Sequence, residues 1–154
     1  MKIGLKYGLL VTVVVMLWIV IVRLWLGLGG GPQGQIISGV LFNAAAILAI
    51  FLGMRERKRA LAGALRFKEG VKTGMAISLV YAISACLFFM IEYFVAGPKL
   101  LLSEAGPQTG ALWQVAAMAY AGLFFGSLLF GLIYSTLIAF FLARRLGRDS
   151  TEII

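Results

Sequence analysis

The chain has 154 residues, of which 62% are hydrophobic and 13% are charged, and its formal net charge at pH 7 is +8. A soluble domain is about half apolar and roughly a quarter charged, so this composition excludes an ordinary soluble domain and predicts a membrane protein. Histidine is absent and Cys86 is the only cysteine. Zinc sites, disulfide frameworks, histidine-ligated haem and Ser-His-Asp catalysis therefore lack the side chains that they require, and we expect neither an enzyme nor a cofactor.

Four stretches of the chain are long and apolar enough to cross about 30 Å of hydrocarbon, which takes about 20 residues of helix. They predict an all-α polytopic membrane protein of one domain, 1–154, with four transmembrane helices. The last uncharged region is too long for one perpendicular crossing, because 112–143 as a single helix would measure about 48 Å. Its first part, 112–121, is therefore predicted to be an outer extension or an interfacial segment. The predicted spans are about 6–28, 36–54, 72–96 and 118–143, with a basic cytoplasmic loop at 55–71 and an outer loop at 97–112.

The positions of lysine and arginine predict the orientation of the helices, because these residues are retained on the cytoplasmic side of a membrane. Twelve of the fourteen precede the first span, lie between the second and third spans, or follow the fourth span. Only Arg23 and Lys99 lie elsewhere. Both termini are therefore predicted to be cytoplasmic.

Two segments of the chain, 4–8 (GLKYG) and 70–74 (GVKTG), match at an offset of 66 residues. The ends of the second and fourth spans match at an offset of 90 residues. One interpretation is a parallel repeat of two hairpins with the same topology, related by a pseudo-two-fold axis along the membrane normal. The alternative is that apolar helices beginning with glycine and lysine resemble one another by composition alone.

Small residues recur at every fourth position in the third and fourth spans. Because the hydrophobic effect does not drive helices together in lipid, small residues that let backbones approach closely are a main packing signal. We expect these two spans to pack on each other within one chain, although contact between protomers would use the same residues. Cys86 is interpreted as a small packing residue rather than a reactive thiol. The predicted packing residues are Gly70, Gly74, Ser78, Ala82 and Cys86 in the third span, and Gly122, Gly126, Ser127, Gly131, Ser135 and Ala139 in the fourth.

Three polar residues within the spans, Arg23, Asn43 and Glu92, are candidate functional residues, because polar and ionisable groups are costly in hydrocarbon. At helical rise, Arg23 and Glu92 are each roughly 25 to 30 Å from the cytoplasmic face and so near the outer boundary. One interpretation is an ion pair between Arg23 and Glu92, with Asn43 nearby in a polar cluster. The alternatives are that both charged groups extend separately to lipid headgroups, and that Glu92 couples protons or ions.

The loop at 55–71, together with Lys72, carries seven basic residues against two glutamates. It is predicted to form a short interfacial helix whose cations contact the phosphates of anionic lipids. A docked protein partner is the alternative, and nucleic-acid binding is not expected, because the positive-inside rule accounts for the charge. The predicted lipid-contact residues are Arg55, Arg57, Lys58, Arg59, Arg66, Lys68 and Lys72.

The segment Phe-Lys-Glu-Gly at 67–70 leads into a third span that begins with glycine, and Lys-Tyr-Gly at 6–8 precedes the first span. With these features the chain resembles a family of short bacterial four-helix membrane proteins classified as a domain of unknown function. The resemblance runs from the first span to the terminal arginines and implies a four-helix fold in a bacterial inner membrane. It supplies no catalytic residue. Members usually have a longer and more acidic outer loop between the last two spans, and this chain departs from that pattern.

Three classes of function remain open from the sequence. We favour a non-enzymatic structural or accessory membrane protein that forms a homo-oligomer or packs with other membrane-protein subunits. The second class is a small oligomeric channel or transporter whose aqueous path includes Arg23, Asn43 and Glu92. A membrane enzyme is the least favoured class, because its site would need more polar groups at one depth.

Overall fold

The computed structural model of the chain describes residues 2–24, 32–97 and 111–144. These residues form four α-helices and no strand, which confirms the predicted all-α fold. Each helix contains a segment that is long and apolar enough to cross a membrane, so the chain is a multi-pass membrane protein by the length and composition of its helices. The helices are α1 (Lys2–Leu24), α2 (Pro32–Ala60), α3 (Phe67–Ala96) and α4 (Leu112–Arg144).

The predicted outer loops and the C-terminal tail lie largely outside the described residues, which leave out 25–31, 98–110 and 145–154. Lys99 is in one of these segments, and so are the last two arginines of the chain. The side chain of Arg23 is likewise outside the described part, although its backbone belongs to α1.

All four helices extend beyond the predicted spans at one end or more. α1 begins at Lys2, α2 continues past position 54 to Ala60, and α3 begins at Phe67. α4 runs without a break for 33 residues, which is about 50 Å at the rise of an α-helix. The predicted outer extension at 112–121 is therefore the first part of α4 itself. Val115 in this extension is only 4% exposed, so the extension packs on the rest of the protein.

A tight turn joins α2 to α3, and the prediction of a separate interfacial helix in the basic loop is wrong. The N–H of Gly63 donates to the carbonyl oxygen of Lys58 at 2.9 Å, and that of Ala62 donates to Arg59 at 3.2 Å. This pair of hydrogen bonds is a Schellman motif, which places Ala62 in the left-handed region with a φ of 50°. Leu65 then enters the interior, where it is fully buried. The end of α2, this turn and the start of α3 use all the residues of the loop, so none remain for another helix.

α3 is the central helix of the fold. It packs most extensively on α4 and next on α1, and it also contacts α2. α2 contacts all three other helices, whereas α1 and α4 do not contact each other within the described residues. A two-fold axis between the hairpins would map the contact of α2 with α3 onto a contact of α1 with α4. The packing of the described helices therefore lacks that symmetry, and duplication of the hairpin stays a hypothesis.

The interior of the helix bundle and its surface are both apolar. Val11, Ile50, Met54 and Ile77 are at most 1% exposed, whereas Phe94 is 78% exposed. Large apolar side chains cover the outside of all four helices. A soluble monomer rarely exposes so much contiguous apolar surface, whereas a bilayer solvates it with lipid tails.

Candidate functional site

The interface of α3 with α4 is built from small residues that face each other. The two helices run antiparallel, with Gly70 against Ala139 and Gly74 against Ser135. A Cβ placed on Gly70 would lie 2.8 Å from the Cβ of Ala139, and one placed on Gly74 would lie 2.6 Å from the Cβ of Ser135. Both separations are shorter than real Cβ contacts allow. Only glycine at these two positions permits the observed approach of the backbones.

The same interface continues with a serine opposite a glycine. Ser78 of α3 lies against Gly131 of α4, and both are buried. The Ser78 hydroxyl donates to the carbonyl oxygen of Gly74 at 3.1 Å, one turn earlier in the same helix. This bond satisfies a polar group that has no access to water. Ala82 is also fully buried, and Cys86 at the next fourth position is half-buried.

α1 packs on α3 through a second face of small residues, which the sequence analysis did not identify. A Cβ placed on Gly8 would lie 2.6 Å from the Cβ of Val80, and one placed on Gly4 would lie 3.0 Å from the Cβ of Ala76. Thr12 follows at the same spacing, is 3% exposed, and donates its hydroxyl to the carbonyl oxygen of Gly8 at 3.0 Å. The four-residue spacing of Gly4, Gly8 and Thr12 is the signal in the sequence that could have predicted this face.

Gly122 and Gly126 of α4 do not pack on another helix of the chain. No neighbouring atom lies within 4 Å of a Cβ placed on either glycine. Both line a cavity of about 240 Å³ between α2, α3 and α4, together with Ser127 and Leu123. This pair of small residues therefore forms an open surface, unlike the small residues nearer the end of α4.

Asn43 of α2 lines the same cavity and is bonded to α4. The hydroxyl of Tyr134 donates to Oδ1 of Asn43 at 2.5 Å, and Nδ2 of Asn43 donates to the carbonyl oxygen of Gly39 at 2.7 Å. Ser78 and Tyr81 of α3 supply further polar groups to the cavity walls. The cavity thus brings hydroxyl and amide groups from three helices into its walls.

The structure does not bring Asn43 into a polar cluster with Glu92. Asn43 lies across the cavity from Ser78, and Glu92 follows Ser78 by about 21 Å along α3 at helical rise. Asn43 belongs to the first half of the apolar span Ile36–Ala60, and its location in the outer half of the membrane stays a prediction.

The predicted ion pair between Arg23 and Glu92 lies partly outside the described residues. The contacts of Gly8 with Val80 set the register of the parallel helices α1 and α3. When this register is extended to the last turn of α1, the backbone of Arg23 lies at nearly the same height along α3 as Glu92, within about one helical turn. The side chain of Arg23 is not described, so the ion pair stays a prediction.

A carboxylate of α2 binds two side chains of α1 at the basic end of the helices. The Nζ of Lys6 lies 2.7 Å from Oε2 of Glu56, and the hydroxyl of Tyr7 donates to the same oxygen at 2.8 Å. Further along both helices, Nε1 of Trp18 donates to Oγ of Ser38 at 3.0 Å. These contacts fix the antiparallel register of α1 and α2. No pattern in the sequence indicates these contacts, because they join residues far apart in the chain.

The predicted lipid-contact residues divide into two groups. Lys58 is half-buried, and its Nζ donates to the carbonyl oxygen of Leu142 at 3.3 Å. It therefore stabilises the C-terminal end of α4, where carbonyl groups lack partners within the helix. The other six are exposed, and their contact with lipid stays a prediction: Arg55, Arg57, Arg59, Arg66, Lys68 and Lys72.

Within the described part of the chain, no group of three or more His, Cys, Asp and Glu side chains could hold a metal ion.

The resemblance of segment 67–70 to four-helix membrane proteins of unknown function stays a prediction. A scan against protein-family models gave no match to the chain, and neither did searches of curated proteins and of solved structures.

Proposed function

We propose that the chain is a non-enzymatic membrane protein, a structural or accessory subunit that assembles through α4 with a second copy of itself. The observation that carries the proposal is the open face of α4 formed by Gly122 and Gly126. The distribution of lysine and arginine supports cytoplasmic termini. The resemblance to bacterial four-helix proteins supports a location in a bacterial inner membrane.

Three other small residues of α4 are already occupied within the chain. Gly131, Ser135 and Ala139 contact α3, whereas Gly122 and Gly126 meet no atom at Cβ distance. In a bilayer, helices associate through close packing and hydrogen bonds, and a pair of glycines lets another backbone approach closely. The open face is therefore suited to receive a further transmembrane helix.

A second copy is the partner that the sequence of this face favours. Gly122 and Gly126 form a Gly-x-x-x-Gly motif in an apolar helix, which is typical of transmembrane helices that pair with an identical helix. In a two-fold dimer with its axis along the membrane normal, the same glycines of both copies meet. No charged residue lines the adjacent cavity, so this contact would bury no charge.

Counting subunits in a bilayer tests the proposal. We expect the wild-type chain, labelled with one fluorophore and reconstituted at low density, to bleach in two steps. Gly126→Leu should shift most complexes to one step, because the added side chain separates the two α4 helices. No atom lies within 4 Å of a Cβ on Gly126, and thermal unfolding of the variant in detergent establishes that the single chain is still folded.

Ala117→Leu is the matched control for Gly126→Leu. Ala117 is exposed on α4, and it lies about 180° around the helix from Gly126. This variant should bleach in two steps like the wild-type chain. One-step bleaching of the wild-type chain, or equal effects of the two substitutions, would contradict the proposal.

The polar cavity favours one second function, a small oligomeric channel or transporter. Asn43, Ser78, Ser127 and Tyr134 line it within the membrane-spanning part, where polar residues commonly mark a solute path. Solute efflux from liposomes tests this function. Efflux that is abolished by Asn43→Leu or by Glu92→Gln would support it over the accessory function, which predicts no efflux above that of empty liposomes.

A further inference from the structure

A groove of about 530 Å³ opens at the end of the bundle where α2 ends and α3 begins. Its cationic lining residues are Lys2 of α1, Arg57 of α2 and Lys72 of α3, and Glu69 of α3 is its carboxylate. Thr73 adds a hydroxyl group to the wall. Three helices thus each direct one basic residue to the same groove.

The shape of the groove follows from the offset between α1 and α3. Gly4 lies against Ala76, so the described start of α1 is level with the second turn of α3. α3 therefore extends about 10 Å beyond α1 at this end. Since α2 also continues to Ala60, the ends of α2 and α3 form two walls, and the first turn of α1 forms the base.

The groove carries an excess of two positive charges. Glu56, the nearest carboxylate of α2, is bound by Lys6 and Tyr7. Among the described side chains, none forms a salt bridge with one of the three groove cations. The N-terminal ends of α1 and α3 lie at the same groove and add positive dipole potential, which exceeds the negative potential of the single C-terminal end there, that of α2.

We propose that this groove binds the phosphate group of an anionic ligand, which is either the headgroup of a membrane phospholipid or a free phosphate compound. Its volume is within the range of about 300 to 1,000 Å³ typical of ligand pockets. Its basic residues lie at the ends of apolar helices, the depth at which lipid phosphates are found. The site is separate from the open face of α4, so it depends neither on dimerisation nor on the orientation of the chain.

Two pairs of substitutions test the site in the full chain. Arg57→Gln removes a groove cation, whereas Arg59→Gln removes an exposed cation in the same turn of α2 that does not line the groove. Lys72→Gln and Lys68→Gln form the corresponding pair on α3. The probe is dioleoyl phosphatidylglycerol, titrated into protein in a neutral detergent, with the bound lipid counted by native mass spectrometry.

We expect Arg57→Gln and Lys72→Gln each to weaken phosphatidylglycerol binding at least fivefold, and Arg59→Gln and Lys68→Gln each to weaken it less than twofold. Equal losses in all four variants would mean diffuse attraction to a basic surface and would overturn the proposal. No loss in any variant, or equal binding of phosphatidylcholine and phosphatidylglycerol by the wild-type chain, would also overturn it.

Titration with inorganic phosphate distinguishes the two sources of the ligand. Displacement of the lipid by millimolar phosphate, with the same dependence on Arg57 and Lys72, would assign the groove to free phosphate compounds. Retention of the lipid under those conditions would assign it to phospholipid headgroups. Thermal unfolding of each variant establishes that the loss of binding occurs in folded protein.

Discussion

Gly74 of α3 and Ser135 of α4 lie closer together than any larger residue at position 74 would permit. A Cβ on Gly74 would be 2.6 Å from the Cβ of Ser135 and 2.9 Å from the Cε of Met54 on α2. Ser135 and Met54 are both fully buried. Three helices therefore meet at one glycine, and the fold depends on the absence of a side chain there.

Gly74→Ala should lower the free energy of unfolding by about 1 to 3 kcal/mol, the usual cost of overpacking a core. This loss should appear even though alanine stabilises a helix by about 1 kcal/mol relative to glycine. Gly39→Ala is the control, since no atom lies within 4 Å of a Cβ on Gly39 in α2, and it should be neutral or stabilising. Unfolding in mixed micelles by titration with sodium dodecyl sulfate measures both, and a stable Gly74→Ala protein would be incompatible with the described interface.

Ser78→Gly should restore the stability that Gly131→Ala removes. Gly131→Ala alone is expected to destabilise, because the new methyl group overlaps the side chain of Ser78. Adding Ser78→Gly removes that side chain and leaves the Cα of residue 78 at 3.9 Å from the new Cβ. In a double-mutant cycle the two substitutions should show a favourable coupling in the free energy of unfolding. Additive effects would indicate that the two residues are not in contact.

The turn between α2 and α3 gives opposite predictions for two adjacent residues. Ala62 has a φ of 50°, a left-handed conformation that glycine adopts without the cost of a Cβ. Ala62→Gly should therefore raise the unfolding free energy by up to about 1 kcal/mol. Gly63→Ala should lower it, because Gly63 has a φ of 90°. The same micellar unfolding assay measures both variants, and changes of the same sign in the two would argue against the Schellman turn.

Glu56→Gln should weaken the junction between α1 and α2. The substitution removes the charge that attracts Lys6 and leaves one neutral acceptor for Lys6 and Tyr7. The side chains of Lys6 and Glu56 are 59% and 39% exposed, so salt should screen much of this attraction. The melting temperature of Glu56→Gln should fall relative to wild type at low ionic strength, and the difference should shrink at high salt. Glu69→Gln, which removes a carboxylate that has no salt bridge in the described structure, should show a smaller fall.

The number of helices and their spans could be predicted from the sequence, because an uncharged apolar stretch of the length of a bilayer has few other structures available to it. Ends of helices were harder to predict. α2 continues through the charged residues after Met54, because a helix ends where its capping geometry is met and not where hydropathy falls. That geometry is supplied by Ala62 and Gly63.

The partners of the small residues could not be predicted from the sequence. The spacing of Gly74 and Ser135 indicates a packing face on each helix, but the same spacing occurs at Gly122, which faces open space. The position and angle at which α3 and α4 cross determine which of these faces meets another helix. The bond of Asn43 to Tyr134 likewise depends on the parallel packing of α2 beside α4.

Disulfide cross-linking in native membranes tests the central claim, the pairing of α4 with α4 of a second copy, most directly. Cys86 is the only cysteine, so a Cys86→Ala background leaves a single thiol in each of the variants Gly126→Cys and Ala117→Cys. Cross-linking requires Cα atoms within about 7 Å of each other, which a dimer through the Gly122 and Gly126 face provides at position 126. We expect a covalent dimer for Gly126→Cys under mild oxidation and none for Ala117→Cys. Equal cross-linking at both positions, or none at position 126, would contradict it.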